Sequence, residues 1–493
     1  MKKTNKTILL LLIIIFLLTF SAAAQNQKFS LEYFRDLADV VNKKPEIEVP
    51  DYELFELKNG MKFYLAQDKN LPIFEIRGYI DAGKINENKD NAGITSLMTE
   101  LMLLASENYS ERELSLFKEI NALSLNLEAG FDLISISGNS LKTDSSELIS
   151  LLAETLIRPK FEGDHFTRTV KESQQLYRQR FYNDSALLNM HFFKNLYGEH
   201  PYGYNNNYNL ILDFLNQVDS EELLNFYQKT IRPEDIVVAI SGDFELNKLK
   251  KELSNNFSSW KNIKTEPTKK YVDVNPELHQ KIIIVNKPDA TQANMRMGYN
   301  FYSSKYPKRI PFMMGNRIFG GGSFNSRLME NLRNDKGYVY GINSQINYND
   351  YGGSYFINLS LEPEKALAGM KAVKEEILKI KNGTEPFKKE ELFENINLYN
   401  AIFPKAYQHQ IDVLDQIVYQ KEFNNKSDDY LNDIIKQYNG LDVEEVQKIY
   451  AEELYPEIIF TVIVGPKEKI LPQFKEFGQE VEVIDNSTQG LLK

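Results

Sequence analysis

The chain has 493 residues, of which 42% are hydrophobic and 26% charged, a composition typical of globular proteins. Its formal net charge of -11 at pH 7 argues against nucleic acid and anionic membrane surfaces as partners, because both attract basic faces. The absence of cysteine excludes a disulfide framework, a thiolate nucleophile and a cysteine-ligated metal. At roughly 100–200 residues per domain, the length predicts two to four domains.

Residues 1–24 have the pattern of an export signal. Three lysines lie within the first six residues, an apolar run covers residues 8–20, and the alanines at 22–24 provide a cleavage site. The apolar run is shorter than the roughly 20 residues that a membrane span needs. We therefore expect cleavage and export, to a periplasm or the extracellular space, with no stable membrane insertion afterwards. An uncleaved anchor is the alternative.

The first folded domain is predicted to cover residues 51–262, after a polar lead-in at 25–50. An Asn59-Gly60 turn between strand-like runs favours a β-hairpin. Apolar residues recur with helical spacing along residues 92–102, behind Gly93. The other predicted elements are strands at 62–67, 73–80, 125–139 and 236–241, helices at 110–122, 145–157, 166–181 and 220–229, and a turn-rich loop at 198–203.

The landmarks of the first domain return later in the chain. Four of them recur after 223 residues: Asp219 as Asp442, Tyr227 as Tyr450, Pro233 as Pro456 and Gly242 as Gly465. So long a period indicates two whole domains rather than a solenoid. We predict a linker at 263–278, a second domain at 279–476 and a C-terminal tail at 477–493. The fold class is predicted to be α+β, with two homologous domains, each a mostly antiparallel sheet with helices on one face.

Seven different short sequence motifs are distributed over the two predicted domains. They are LKNGM at 57–61, GYIDAG at 78–83, HPYG at 200–203, VVAISGD at 237–243, PDATQA at 288–293, GGGSFNSRL at 320–328 and LRNDKGYVY at 332–340. Together they resemble the pitrilysin or insulinase-type metallopeptidases, the inverted zincins that include mitochondrial processing peptidases. The resemblance covers about residues 50–470.

The resemblance fails at the zinc motif. Active members carry H-x-x-E-H on the helix that corresponds to residues 92–102, where two histidines hold zinc and the glutamate acts as general base. With Gly93 as the anchor, these positions are Ser96, Thr99 and Glu100 in this chain. The five histidines of the chain include no pair spaced i, i+4. The resemblance therefore implies no metal, no cofactor and no catalytic residue of its own.

Two weaker alternatives remain near this helix. The third zinc ligand of the family would fall within residues 171–177, whose register is open and whose only acid is Glu172. A rearranged site of Glu100, Glu107 or Glu172 would suit calcium or magnesium better than zinc, although such glutamates are more often solvated charges. His200 is the most family-like histidine, and its ordinary interpretation is packing within a loop.

The second domain retains a pair that the family uses. In similar proteins an arginine and a tyrosine seven residues apart reach a peptide substrate, and the positions here are Arg333 and Tyr340. The arginine would bond a substrate carbonyl, and the tyrosine would donate to the oxyanion of the tetrahedral intermediate. The ordinary interpretation is a surface arginine and a core tyrosine. The glycines at 320–322 either form a flexible substrate loop or end a helix.

These observations favour a non-catalytic subunit of a zinc metallopeptidase. The chain would form a heterodimer with a zinc-containing paralogue, close a peptide-degrading chamber, and position unfolded peptide through Arg333 and Tyr340. The alternative is an inactive homodimeric clamshell that binds exported peptides. A hydrolase of unrecognised chemistry is least favoured, since the chain lacks a G-x-S-x-G elbow.

Overall fold

The computed structural model describes residues 44–262, 281–322, 325–457, 459–476 and 480–486. The predicted export signal, most of the lead-in and the whole predicted linker at 263–278 lie outside the described residues. Within the described ranges, no helix is long and apolar enough to cross a bilayer.

Two six-stranded sheets organise the described residues, one in each half of the chain. The first contains β1 (Glu53–Glu56), β2 (Lys62–Gln67), β3 (Ile73–Ile80), β4 (Ser124–Ala129), β5 (Ile134–Leu141) and β6 (Ile236–Gly242). The second contains β7 (Ile282–Asn286), β8 (Ala293–Phe301), β9 (Val339–Asn349), β10 (Gly352–Leu361), β11 (Phe460–Gly465) and β12 (Val481–Asp485).

Five strands have the same order in both sheets, β2-β6-β3-β5-β4 and β7-β11-β8-β10-β9, whereas the remaining edge strand is β1 in the first sheet and β12 in the second. Strand β2 pairs with β6 in parallel, as β7 does with β11 and with β12, and the remaining pairs are antiparallel. The predicted α+β class with two mostly antiparallel sheets is therefore confirmed.

The helices of the two halves follow the strands in a similar sequence, with the short helix α6 as an addition in the first half. Those of the first half are α1 (Ile94–Met102), α2 (Glu111–Ile120), α3 (Ser145–Ile157), α4 (Asp164–Arg180), α5 (Asp184–Tyr197), α6 (Pro201–Tyr204), α7 (Tyr208–Leu215), α8 (Ser220–Thr230) and α9 (Leu246–Phe257). Those of the second half are α10 (Arg309–Asn316), α11 (Arg327–Met329), α12 (Ala366–Lys381), α13 (Lys389–Ile402), α14 (Gln410–Asn424), α15 (Tyr430–Asn439), α16 (Val443–Glu452) and α17 (Lys467–Glu476).

Short helical turns complete the backbone. Turns of 3-10 helix occur at Lys84–Asn86, Lys89–Asn91, Lys142–Asp144, Pro233–Asp235, Pro363–Lys365 and Phe403–Tyr407, and π-helical turns at Arg317–Gly321 and Glu330–Asp335. The segment at 198–203 is less irregular than predicted, because Pro201 opens the short helix α6.

Each half exchanges one helix with the other. Helix α5 packs across β8 and β11 of the second sheet, and α14 packs across β2, β3 and β6 of the first. The prediction of helices on one face only is therefore wrong. The physical reason is that β6 and β11 are buried along their whole length, so both faces of each sheet must be covered.

Aromatic contacts hold α5 against the second sheet. Phe192 of α5 has no exposed surface, and its ring centroid lies 5.7 Å from that of Phe356 and 5.5 Å from that of Phe460. On the opposite side, Leu414 of α14 packs with Tyr64 and Val237 of the first sheet. These contacts join the two halves through apolar packing.

The C-terminal residues differ from the prediction in one respect. Residues 477–493 are expected to be a tail, but β12 lies among them and pairs in parallel with β7. Val481 packs against the core of the second half. The second sheet thus extends beyond residue 476, because a five-residue strand at a sheet edge needs only a few apolar contacts.

Candidate functional site

Helix α1, which carries the degenerate zinc positions, is built around Gly93 and Glu87. Gly93 has φ of +99°, a left-handed conformation that favours glycine. The Glu87 carboxylate is fully buried and accepts the N–H groups of Gly93 at 2.7 Å and Thr95 at 3.0 Å. Burial raises the pKa of Glu87, and these hydrogen bonds oppose that shift. The start of α1 is thus held by two buried hydrogen bonds and by a glycine with positive φ, although the zinc motif is absent.

The three residues at the positions of the family's H-x-x-E-H motif make local contacts. Thr99 is buried and donates its hydroxyl to the Ser96 carbonyl at 3.1 Å. Glu100 is exposed. Neighbouring residues nevertheless remove part of the solvent around its carboxylate, and this desolvation is the main cause that raises the pKa of Glu100. The negative charge of Glu172 on α4 raises it further. Helices α1 and α4 therefore lie together as the resemblance implies, but they present two mutually repelling carboxylates.

The alternative carboxylate site is not assembled. Glu172 lies 3.7 Å from Arg168 in an ion pair, and Glu107 is exposed in the loop after α1. In the described part of the chain, no three His, Asp or Glu side chains are grouped so that they could hold a metal ion. Glu100, Glu107 and Glu172 thus have no geometry suited to calcium or magnesium, which take six or more oxygen ligands.

His200 has a structural position. It precedes α6, and its Nδ1 accepts the N–H of Tyr202 at 3.2 Å. Its ring centroid lies 4.3 Å from that of Tyr202, and burial lowers its pKa to about 4. These contacts favour the packing interpretation of this histidine.

Tyr202 connects the two halves, a role that the sequence pattern alone did not indicate. Its hydroxyl donates to Asp132 at 2.5 Å and accepts the N–H of Tyr351 at 3.3 Å. Asp132 also accepts the N–H of Asp350 at 3.0 Å. Burial raises the pKa of Asp132 to about 6. The HPYG segment that carries part of the family resemblance is therefore the signal that could have identified this junction.

Arg333 and Tyr340 lie on either side of one tight turn. Arg333 is exposed on the π-helical turn before it, where its side chain contacts the Met329 sulfur at 3.9 Å. The N–H of Tyr338 donates to the Leu332 carbonyl at 2.9 Å and closes the turn. Gly337 lies between them with φ of +59°. The chain thus doubles back between the two predicted substrate-binding residues.

Tyr340 projects from an irregularity in the edge strand β9. Val339 pairs with Leu361 and Gly341 with Ser360, so Tyr340 is left unpaired in a β-bulge. Its side chain is 53% exposed, and the interpretation as a core tyrosine is therefore wrong. Bulges of this kind redirect a side chain and are common beside binding sites.

The glycines at 320–322 pack closely at the end of the π-helical turn Arg317–Gly321, which follows α10. A Cβ on Gly320 would lie 2.6 Å from atoms of both Leu328 and Ser344, and one on Gly321 would meet Asn316. Such distances leave no room for a side chain. The arrangement favours the interpretation in which the glycines end a helix.

Comparisons with known proteins agree with this architecture. A model of the insulinase family, peptidase family M16, matches residues 63–208, and a model of the peptidase M16 inactive domain matches residues 217–399. Together the two matches span more than half of the chain.

Curated relatives bear both active and inactive names. Zinc protease PqqE of Helicobacter pylori is 22% identical over 282 residues, 56% of this chain and 62% of that protein. The probable inactive metalloprotease YmfF of Bacillus subtilis is 24% identical, over 48% of this chain and 55% of that protein. The non-peptidase homolog YmxG of H. pylori is 21% identical, over 70% of this chain and 83% of that protein. The match thus spans less than two thirds of the first two relatives.

Solved structures share the fold. A peptidase M16 inactive domain from Pseudomonas fluorescens has a TM-score of 0.74 at 21% identity, covering 84% of this chain and 98% of that one. A protease from H. pylori has a TM-score of 0.76 at 20% identity, covering 85% and 100%.

Proposed function

The chain belongs to peptidase family M16 as a non-catalytic member without the zinc motif, and we propose that it is one subunit of an exported two-chain peptidase. A zinc-bearing M16 paralogue would supply the metal and the general base. The two chains would enclose an unfolded peptide in a chamber, and this chain would position the peptide through Arg333 and Tyr340.

One observation carries the proposal. The chain has replaced the zinc positions with Ser96, Thr99 and Glu100 while Tyr340 is held outward on a bulge of an edge strand. A phenol hydroxyl directed at a developing oxyanion stabilises the transition state without a metal of its own. An exposed guanidinium forms strong, directional hydrogen bonds to carbonyl oxygens. These groups suit a chain that completes another chain's active site.

The relatives support a division of labour. Helicobacter pylori has one similar protein named as a zinc protease and another named as a non-peptidase homolog. An organism that keeps both kinds has the components for a pair. Export is proposed from residues 1–24 alone, and mass spectrometry of the mature protein should find Gln25 at its N-terminus.

The test is reconstitution with the zinc-motif M16 protein of the same organism. Peptide cleavage should require both chains. In the pair, Tyr340→Phe should lower kcat by about 100-fold, the effect of removing one oxyanion donor. Arg333→Ala should lower kcat/KM by roughly tenfold through loss of a charged hydrogen bond.

Matched controls lie on the same turn. Tyr338→Phe changes a half-buried tyrosine two residues away, and Lys336→Ala removes an exposed cation that pairs with Glu375. Both variants should retain full activity. Full activity of the zinc-bearing chain by itself would refute the proposal, and a homodimer that retains peptides without cleavage would establish the clamshell alternative.

A further inference from the structure

Two adjoining cavities lie in the second half, away from Arg333 and Tyr340. The first, here called the aromatic cavity, has a volume of about 320 Å³, and its walls include Tyr348, Tyr399, Phe403, Tyr407, Tyr430 and Tyr438. The second, called the cationic cavity, has a volume of about 380 Å³, and its walls include Lys305, Arg309, Asn424, Asn425, Lys426 and Gln437. Both sizes are within the range of small-ligand pockets.

Arg309 lies in the wall that the two cavities share. Its guanidinium donates to the Tyr430 hydroxyl at 2.8 Å and to the Ser304 carbonyl at 3.4 Å. It also lies 5.8 Å from the centroid of the Tyr348 ring. Tyr430 and Ile434 line both cavities as well. The two spaces therefore form one cleft with an aromatic part and a charged part.

The charge of the cleft is opposite to that of the protein. Among the described residues, no Asp or Glu lines either cavity, although the chain carries a net charge of -11. Lys305 and Lys426 are exposed, and neither forms an ion pair with another residue in the described ranges. Two carboxylates lie behind the wall residues: Glu453 accepts the hydroxyl of Tyr306 at 2.7 Å, and Asp350 accepts that of Ser304 at 3.0 Å. The charged side chains that line the cavities themselves are all cationic. The cleft is therefore complementary to an anion.

The aromatic cavity has walls of stacked rings, and two of its hydroxyl groups lack a hydrogen-bond partner within the described structure. The Tyr399 ring stacks on Tyr438 at 4.0 Å and on Phe403 at 4.8 Å between centroids. Within the described structure, the buried hydroxyls of Tyr348 and Tyr399 have no hydrogen-bond partner. A stacked aromatic wall favours a planar ring as its occupant, and buried polar atoms without partners commonly mark incomplete sites.

In the first half, an arginine packs on the rings at the corresponding positions. Tyr177, Phe181 and Tyr208 precede Tyr399, Phe403 and Tyr430 by 222 residues each. There, the guanidinium of Arg180 lies 4.9 Å from the Tyr177 ring and 5.4 Å from the Tyr208 ring. The position 222 residues after Arg180 is Ile402, which is 50% exposed. The second half thus has an isoleucine where the first half has the arginine that packs on these rings.

We propose that this cleft binds the free C-terminus of a peptide that ends in an aromatic residue. The aromatic ring would occupy the aromatic cavity, and the α-carboxylate would lie in the cationic cavity beside Arg309. A guanidinium and two lysines provide charge-assisted hydrogen bonds to a carboxylate. The proposal concerns a site that the chain contains by itself, so it does not depend on a second subunit.

Calorimetry on the full mature chain, without any partner, tests the ligand. The probes are N-acetyl-Gly-Phe as the free acid, the same dipeptide as its C-terminal amide, and N-acetyl-Gly-Ala as the free acid. The free acid of the phenylalanine peptide should bind with 1:1 stoichiometry, and the other two should bind at least about tenfold more weakly. Equal affinity for acid and amide, or no binding of the acid at millimolar concentration, would overturn the proposal.

Variants test the location. Arg309→Gln and the double variant Lys305→Gln/Lys426→Gln should each weaken binding about tenfold, and Met313→Trp should abolish it by filling the aromatic cavity. Lys405→Gln removes an exposed cation outside both cavities and should leave binding unchanged. If Lys405→Gln weakens binding as much as the double variant, the cleft is not the site.

A further probe separates an aromatic carboxylate from an aliphatic one. Octanoate carries a carboxylate and an apolar chain but no ring, and it should bind at least about tenfold more weakly than the aromatic peptide. Tighter binding of octanoate would overturn the peptide assignment. Because these measurements use one chain and the reconstitution uses two, either proposal fails without affecting the other.

Discussion

Replacement of Leu414 by alanine tests whether the two halves depend on each other. Leu414 belongs to α14 of the second half, has no exposed surface and packs on the first sheet with Tyr64, Ala66, Val237 and Ala239. Truncating a fully buried leucine costs about 2–5 kcal/mol, because transfer energy is lost and a cavity remains. The surrounding strands cannot move far toward the space, so we expect about 3 kcal/mol.

The assay uses the only tryptophan of the chain. Trp260 packs against the core of the first half, so its fluorescence reports unfolding of that half. In urea, Leu414→Ala should shift the fluorescence midpoint of Trp260 downward together with the midpoint of the far-ultraviolet circular dichroism, which reports both halves. Phe192→Ala, the reciprocal truncation in α5, should have a similar effect.

The control is Phe393→Ala on α13, where the side chain is 58% exposed, and a change within about 0.5 kcal/mol is expected. An unchanged Trp260 midpoint in Leu414→Ala would contradict the reasoning. It would mean that the first half is stable without its cover from the second.

Three further predictions concern single positions. Asp132 has a folded-state pKa of about 6 against an ordinary value of 3.8, so stability is lost as pH rises through this window. Between pH 4 and pH 7 the wild type should lose about 2 kcal/mol more than Asp132→Asn, measured by urea unfolding at each pH. Gly93→Ala should destabilise by about 1–3 kcal/mol, because of its left-handed backbone and a Cβ contact of 3.0 Å with Ile211, and a thermal melt no lower than that of wild type would contradict this. Ser110→Ala should cost about 1 kcal/mol by removing the capping box of α2, whereas Ser110→Asp should restore most of it in the same melt.

Short-range sequence patterns were sufficient to predict many of the helices and strands. Helix α3 has the predicted bounds of 145 and 157, because its apolar spacing is regular and Pro159 follows it. Ser110 and Glu113, three residues apart, form a capping box at the start of α2, with the Ser110 N–H donating to Glu113 at 2.9 Å. These features depend on residues within one or two turns of each other, and sequence patterns record such short-range chemistry well.

The exchange of α5 and α14 could not be predicted from the same patterns. The apolar run of β6 indicates burial on both faces, but it does not say which helix covers the second face. The candidate site likewise has features that the sequence shows and features that depend on the tertiary fold. The replacements at Ser96, Thr99 and Glu100 are visible in the sequence, whereas the exposure of Tyr340 depends on a bulge that only strand pairing with β10 defines. The aromatic cavity also requires helices far apart in the chain.

The exchanged helices have a consequence for how such a chain could arise. A single copy of the repeated unit would leave one sheet face uncovered and one long helix without a surface to pack on. Two copies satisfy each other reciprocally, as the subunits of a symmetric dimer do. Joining them in one polypeptide makes that association independent of protein concentration. It also allows the sequence of each copy to change without the other.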